Sequence, residues 1–579
     1  MSALTGTGRD YVMRIGLIVC VDDEIEKSQM FGIRYMPVWA YTLASYIRKI
    51  PNVEIFLYDT RHQDRAKTPE ADIFLISGIN QDFSAIISYE RTLRKLHPKA
   101  KLILGGPIVS SYKLVGKIES LFAFDHLFMG DAENAVTAFI QDLILKKPLG
   151  KIINNASKFA LSEAIPIDFE LLKKNKEHYY GGVIEVSRGC PFLCEFCDIR
   201  TKPNNNTTNN KSIDVILEEL EQYSALGIRD ILFACDNFIG DHVWAEMVCD
   251  KIIEWRKNNN VELHIYTWLT INLAYFPRLM KKMKLAGFDM FFIGVESFGL
   301  AQLLETAKVQ NTKTDITESI KTIQSHGFII VAGLIFGFDT DPEDAVQVAL
   351  DGIKNSGVIS GDPSLLTALP GTPLFSRIKH SGRLREGKIG LGGKKYATNI
   401  LYLRDKDKMI SDFIYFTTEF NRPSYQYSRY SVFISTVIPG PKNMKGASGY
   451  INVLQLWKMI KRNPDAIFSF AKRVFSVINT PAKIFYTAKA LILTIKMPQA
   501  KMTYFYFWLF NWSNSVLKYG NLKSKDFDIE SVNKSYELKN IIPPSYETDF
   551  FEPIPKNKIK AQRFATISSL KKLIADGKS

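Results

Sequence analysis

"VSRGCPFLCEFCDIR", residues 186–200, continues the apolar run "GVIEVS" (182–187) and sets Cys190, Cys194 and Cys197 within eight positions. A short apolar run opening into such a loop reads as a buried parallel strand that delivers soft ligands at its carboxyl end. Thiolates select zinc, copper(I) or iron–sulfur clusters. A structural zinc site closes with four ligands, usually as two paired knuckles. No second knuckle is present: Cys235 and Cys249 are far apart in sequence, and Cys20 lies near the N-terminus. Three cysteines suit a cubane 4Fe-4S cluster with one iron left open for an exogenous ligand. A zinc knuckle in a structural or regulatory protein stays as the alternative.

Five further apolar runs follow at β/α spacing: "DILFAC" (230–235), "LHIYTWLT" (263–270), "MFFIGVES" (290–297), "FIIVAGLIFGF" (328–338) and "SLLTAL" (364–369). Helical patterns such as "IDVILEELEQYSAL" and "TDITESIKTIQSHG" separate them. Six such repeats predict a partial (β/α)6 barrel over 181–400, with chemistry at the carboxyl ends of its strands.

Upstream, "VMRIGLIVC" (12–20), "VEIFLYD" (53–59), "ADIFLIS" (71–77), "KLILGG" (101–106) and "HLFMG" (126–130) alternate with helical segments at 37–50 and 85–97. This predicts an α/β, doubly wound parallel sheet over 1–150, joined by a linker at 151–180. Beyond 401 the alternation stops and the pattern is mainly helical. "PNNNTTNNK" (203–211) reads as a low-complexity loop without residue types for chemistry. The chain of 579 residues has 46% hydrophobic and 23% charged residues, ordinary globular values. Its start, "MSALTGTGRDYVMR", lacks the apolar core of a secretory signal, and six unevenly spaced cysteines are no disulfide framework. The expected location is cytoplasmic, with peripheral attachment to the inner membrane face as an extension of that expectation.

The C-x3-C-x2-C spacing resembles the signature of the radical S-adenosylmethionine superfamily. Together, "SRGCPFLCEFCDI", "DNFIGD", "GVES", "VAGLIFGFD" and "ALPGTPLF" resemble its cobalamin-binding members, specifically the subgroup containing the hopanoid C-2 methylases. The resemblance implies that Cys190, Cys194 and Cys197 hold a 4Fe-4S cluster, with Phe196 beside the cluster and adenine. It also implies that Gly333 and Gly337 let backbone approach the adenine, and that Glu296 and Ser297 meet the ribose hydroxyls and methionyl ammonium. Taken alone, these are also a Gly-containing buried strand and a surface carboxylate. At Asp236 and Asn237, where relatives often carry a GGE-like motif for the methionyl amino group, the sequence departs from the pattern.

In the N-terminal domain, "ISGIN", "LGGP" and "MGDAEN" supply Ser77, Gly78, Gly105, Gly106 and Gly130 at strand ends. Such small residues leave room for cobalamin or its nucleotide tail, and they also suit tight βα turns in any flavodoxin-like domain. Neither "DTRHQD" nor "DHLFMG" has the D-x-H-x-x-G spacing of a cobalt-ligating histidine, so His62 and His126 are expected to be dispensable for cobalamin.

By resemblance, the mechanism runs through one-electron cleavage of S-adenosylmethionine, hydrogen abstraction from an unactivated carbon, and methyl delivery from cobalamin. The implied function is C-methylation of a lipid-like or isoprenoid substrate, with an electron donor such as flavodoxin or ferredoxin. The alternative keeps both cofactors but forms or rearranges a ring without methyl transfer.

Charge is concentrated late. Residues 441–520 hold 12 Lys/Arg against the single Asp465, a net +11 of the chain's +14. "MTYFYFWLFNWSNSVL" (502–517), the longest uncharged run there, is shorter than the ~20 residues that span a bilayer. Aromatic residues beside Lys/Arg suit an interfacial helix, so membrane-surface docking through 441–520 leads. A helical cap over the barrel with a basic outer face follows it, and nucleic-acid binding ranks last.

Overall fold

The computed structural model describes residues 12–22, 35–202, 205–313, 315–385, 387, 396–437, 464–497 and 502–532. It divides into two units. The first takes the described residues up to 186 and 209–229; the second takes 187–208 and everything described from 230 onward.

In the first unit, β1 (Met13–Val19), β2 (Val53–Asp59), β3 (Ile73–Ser77), β4 (Lys101–Gly105), β5 (His126–Met129) and β6 (Ile152–Asn154) form one sheet in the order β2-β1-β3-β4-β5-β6. All pairings are parallel. Helices α1 (Val38–Ile47) and α2 (Phe83–Leu96) fall where the apolar periodicity predicts them, and α3 (Pro107–Leu114) and α4 (Val136–Ile144) complete the connections. Ile18, Phe74, Ile76, Tyr89, Leu104 and Phe124 belong to its core. The strand order reverses between β1 and β3, and a crevice at such a switch point is where open α/β sheets bind ligands. Ser77 ends β3 there. Strand β7 (Gly182–Glu185) and helix α5 (Ile213–Ala225) also belong to this unit.

The second unit contains the other five strands of the β/α series: β8 (Asp230–Ala234), β9 (His264–Leu269), β10 (Phe288–Glu296), β11 (Ile329–Phe336) and β12 (Ser360–Leu365). They pair in parallel in chain order. Helices α6 (His242–Asn259), α7 (Pro277–Ala286), α8 (Ile316–Ser325) and α9 (Ala345–Ser356) alternate with them. The last strand lies four residues earlier than the sequence pattern predicts. "GDPS" reads as a turn, but β12 is an edge strand, where a proline such as Pro363 costs no ladder hydrogen bond.

After α10 (Pro373–His380) come β13 (Tyr396–Tyr402), α11 (Lys406–Asn421), α12 (Pro423–Thr436), α13 (Pro464–Ile478), α14 (Pro481–Lys496), α15 (Met502–Tyr519) and β14 (Phe527–Ser531). Here the structure corrects the interfacial reading of 502–517. Trp508 and Trp512 of α15 are fully buried. Ser360 of β12 donates to Asn511 at 2.9 Å, and the Trp512 indole donates to the Asn421 carbonyl at 3.2 Å. An aromatic, uncharged run looks the same in sequence whether its cover is lipid or other helices; here helices supply it. Part of 441–520 lies outside the described residues. Among the described residues no helix is long and apolar enough to cross a membrane.

Candidate functional site

The cysteine loop is held at both ends before any ligand is considered. Gly189 turns the chain at φ +88°, and a Cβ there would lie 2.1 Å from the Thr207 carbonyl oxygen, so only glycine fits. Its N–H donates to Asp236 Oδ2 at 2.6 Å, and the Cys190 N–H donates to the Asn205 carbonyl at 3.0 Å. The Asn-rich stretch is therefore structural: Asn205 is buried and its side chain donates to the Ile199 carbonyl.

Further along the loop, Glu195 is buried and receives two hydrogen bonds from Arg377 of α10, at 2.8 and 2.9 Å. Arg377 also reaches Asp339 at 2.9 Å and Glu305 at 3.2 Å, while Arg383 closes on Asp339. Burial opposes charge on Asp339, but Arg383 and Arg377 hold its carboxyl below the ordinary range. Glu305 is pushed upward by burial and by Asp339. This buried clasp fixes the loop between Cys194 and Cys197.

All three thiols are free of disulfides. Burial pushes Cys197 up to about 12 and raises Cys190 as well, with the neighbouring thiols adding to both shifts. Two amide donors face the sulfurs: Gln310 Nε2 lies 3.4 Å from Cys194 Sγ, and Asn237 Nδ2 lies 3.7 Å from Cys190 Sγ. Lys308 Nζ stands 5.7 Å over the Phe196 ring. Burial opposes its charge, but Glu296 and the Cys194 and Cys197 sulfurs raise its pKa above the ordinary value. Among the described residues no group of three or more His, Cys, Asp or Glu side chains converges on one metal ion. That is compatible with a cubane, whose three thiolates each hold a different iron. Buried thiols facing amide N–H groups fit such a cluster, because donors to sulfur stabilise it and help set its potential.

The other expected residues separate into two groups. Glu296 ends β10 at φ +64°, a strained conformation for a non-glycine residue, next to a register shift between β10 and β11. It is buried and ion-paired to Lys308 at 2.7 Å. Ser297 caps the following turn by accepting from the Gly299 N–H. Gly337, at the carboxyl end of β11, donates its N–H to Asp341 at 2.8 Å. Asp236 and Asn237 brace the cysteine loop directly, Asp236 through Gly189 and Asn237 through Cys190. Gly333 is required by packing, since a Cβ would meet the Phe292 ring at 2.8 Å.

In the first unit the fold itself demands two of the expected glycines. A Cβ on Gly106 would strike the Gly78 carbonyl and one on Gly130 the Asn155 carbonyl at 1.9 Å, both at positive φ, whereas one on Gly78 would meet only the end of the Ile86 side chain. Gly105 has ordinary room at 3.8 Å. Ser77, Gly78 and Gly105 thus remain the positions whose small size the packing does not strictly require. His126 Nδ1 lies 2.8 Å from the Gly150 carbonyl oxygen, and His62 stacks on His178 at 4.4 Å.

Sequence reasoning missed Glu195, Glu305, Lys308, Gln310, Asp339 and Arg377. The one usable signal was a charge inside the apolar run "CEFC", where a buried Glu195 needs a cation.

Residues 184–352 match the family model of the radical SAM superfamily. The chain is 32% identical over 285 residues to the hopanoid C-2 methylase of Rhodopseudomonas palustris, a match covering 48% of this chain and 53% of that protein. It is 24% identical to an uncharacterized methyltransferase of Synechocystis, covering 78% and 83% of the two chains. Among solved structures it resembles the cobalamin-dependent S-adenosylmethionine radical enzyme OxsB with aqua-cobalamin and S-adenosylmethionine bound. The TM-score is 0.55 at 15% identity, covering 88% of this chain and 80% of that one. At that identity the likeness is one of fold.

Proposed function

We propose that this chain, whose residues 184–352 form a radical SAM domain, is a cobalamin-dependent radical enzyme that methylates an unactivated carbon of a lipid-like or isoprenoid substrate. The observation that carries the reading is the loop of three closely spaced thiols, Cys194 buried and Cys190 and Cys197 half-buried, two of them met by amide donors from Asn237 and Gln310. When bound, the cluster supplies an electron, S-adenosylmethionine the hydrogen-abstracting fragment and the methyl group, and cobalamin the methyl carrier. Cys190, Cys194 and Cys197 hold the cluster. Phe196, Gly333 and Gly337 line the adenine side, and Glu296 with Ser297 meets the ribose and methionyl ammonium. Lys308 occupies Glu296 until a cationic ligand group competes for it. Asp236 and Asn237 serve as positioning residues of the loop.

The sheet over 1–150 takes cobalamin at Ser77, Gly78, Gly105, Gly106 and Gly130, without a histidine on cobalt. The radical S-adenosylmethionine barrel spans 181–400, and the basic, aromatic C-terminal region begins at 401. A flavodoxin- or ferredoxin-type protein supplies the electron.

Turnover with methyl-labelled S-adenosylmethionine, a reductant and a cell lipid extract tests the assignment. Label in an extractable lipid supports it; 5′-deoxyadenosine without label in any product points to ring chemistry instead. His62→Ala and His126→Ala should both keep the cobalamin absorbance of reconstituted protein, and its loss in either would refute the histidine-free assignment.

A further inference from the structure

Helix α14 is built inside out. Ala490 and Thr494 are buried and face the fold, with the Thr494 hydroxyl 2.7 Å from that of Tyr430 in α12. On the other side, Ile484, Phe485, Ala488, Ile492 and Ile495 are exposed. At 100° per residue these five fall within one arc of about 100°, so they form a continuous apolar stripe rather than scattered surface residues. Its large members are open to solvent: Phe485 is 59% exposed and Ile495 70%. Phe475 and Ile478, exposed at the end of α13, add to the apolar surface of this helix pair. The turn between the helices is fixed, because Lys483 donates to the Ser476 carbonyl and to Asn479.

Charge selects the occupant. No Asp or Glu occurs between 466 and 525, and Lys489 and Lys496 border the stripe on one side. A second copy of this chain would bring lysine against lysine. An anionic lipid surface would accept the isoleucines and phenylalanine among its acyl chains and the lysines at its headgroups.

We infer that the exposed face of α13 and α14 docks the protein on anionic membranes, lying in the interface without crossing it. This rests on surface chemistry and not on the reaction proposed above, so either can fail without the other.

Cosedimentation of the full chain with vesicles of phosphatidylglycerol and phosphatidylcholine in equal parts, and of phosphatidylcholine alone, is the test. Ile492→Ser with Ile495→Ser removes side chains that are 52% and 70% exposed, so thermal unfolding should change little while binding to mixed vesicles falls roughly tenfold or more. Lys489→Glu with Lys496→Glu should weaken binding to the mixed vesicles and leave the phosphatidylcholine result alone. Equal binding by the serine variant, or indifference of the wild-type chain to both vesicles, overturns the inference. A wild-type dimer that the serine variant turns into a monomer, with no vesicle binding, overturns it in favour of a second copy.

Discussion

Asp289 and Asp341 stand at opposite ends of the same parallel sheet, and the fold treats them in opposite ways. Asp289, at the start of β10, meets Lys284 and His264 at 2.8 Å each. Burial opposes its charge, but the two cations prevail and hold the carboxyl down to about 2. Asp341 follows β11 at the carboxyl end; it accepts backbone N–H groups from Gly337 and Phe338, with the Arg404 charge and the Gln302 side chain as further support for its carboxylate. Burial wins there, pushing it up to about 6. One end closes its charges within the fold. The other keeps Asp341 under-compensated, Glu296 strained, and amide donors aimed at sulfur. Opposing ends of a barrel divide in this way when one serves stability and the other a ligand.

The largest expected effect comes from the cysteine loop at the ligand end. Cys190→Ala, Cys194→Ala or Cys197→Ala should each abolish 5′-deoxyadenosine formation and lower the content of about four iron and four sulfide per chain. Cys20→Ser, Cys235→Ser and Cys249→Ala should keep both. Cluster loss on changing Cys235, whose thiol already bonds Thr267, would mean that the wrong thiols had been assigned.

Next comes the clasp, which belongs to the ligand end by position but resembles the closed end in chemistry. Arg377→Ala strands Glu195 in a buried site and leaves Asp339 to Arg383 and Glu305 to the Asp339–Thr340 donors; removing one partner of a buried ion pair costs roughly 3–5 kcal/mol. Urea unfolding measures the loss. A variant within 1 kcal/mol of wild type, on the scale of a surface pair, would show that the clasp is solvated.

The pH dependence tests the comparison itself. For Asp289 the folded pKa lies below the unfolded value of 3.8. Its contribution, on the order of 2 kcal/mol, is present above about pH 4 and lost as pH falls toward 2. For Asp341 the folded pKa lies above 3.8, so the folded state binds the extra proton and loses stability as pH rises from about 4 through 6. In metal-free protein, Asp289→Asn should flatten the acid limb of the urea midpoint, and Asp341→Asn should flatten the limb between pH 4 and 6. Identical profiles for the two variants would erase the distinction between the ends.

The smallest effect concerns Gln310. Gln310→Leu removes a donor from Cys194 and should make the cluster potential more negative by roughly 40–60 mV, the equivalent of about one hydrogen bond. An EPR-monitored redox titration reads it. An unchanged potential with unchanged iron content would assign Gln310 a packing role.

Much of this was legible in the sequence, for identifiable reasons. Strands such as Val53–Asp59 are contiguous apolar runs with sharp ends, and three cysteines at fixed spacing carry their chemistry locally. The clasp was not legible, because Glu195 and Arg377 are 182 residues apart and nothing local in "SRIKH" marks a buried arginine. For Gly106 and Gly130 the sequence leaves room for a cofactor and a tight turn equally open, and only the neighbouring carbonyls show that the turn alone requires them. The aromatic run of α15 was misjudged for the same reason: composition reports which residues want cover but not which of them the fold has already covered.

The pairing of β13 with β14 bears on how the chain is made. These strands run parallel, Tyr396 opposite Phe527, and the helices from α11 to α15 lie between them in sequence. On a ribosome adding ~5–20 residues per second, β13 emerges many seconds before its partner exists. Its open edge is a template for foreign strands until Phe527–Ser531 arrives. Without Phe527–Ser531, β13 keeps its backbone bonds to Arg383 and Arg385, but the edge that β14 covers stays open, so a strand made late in synthesis protects one made much earlier.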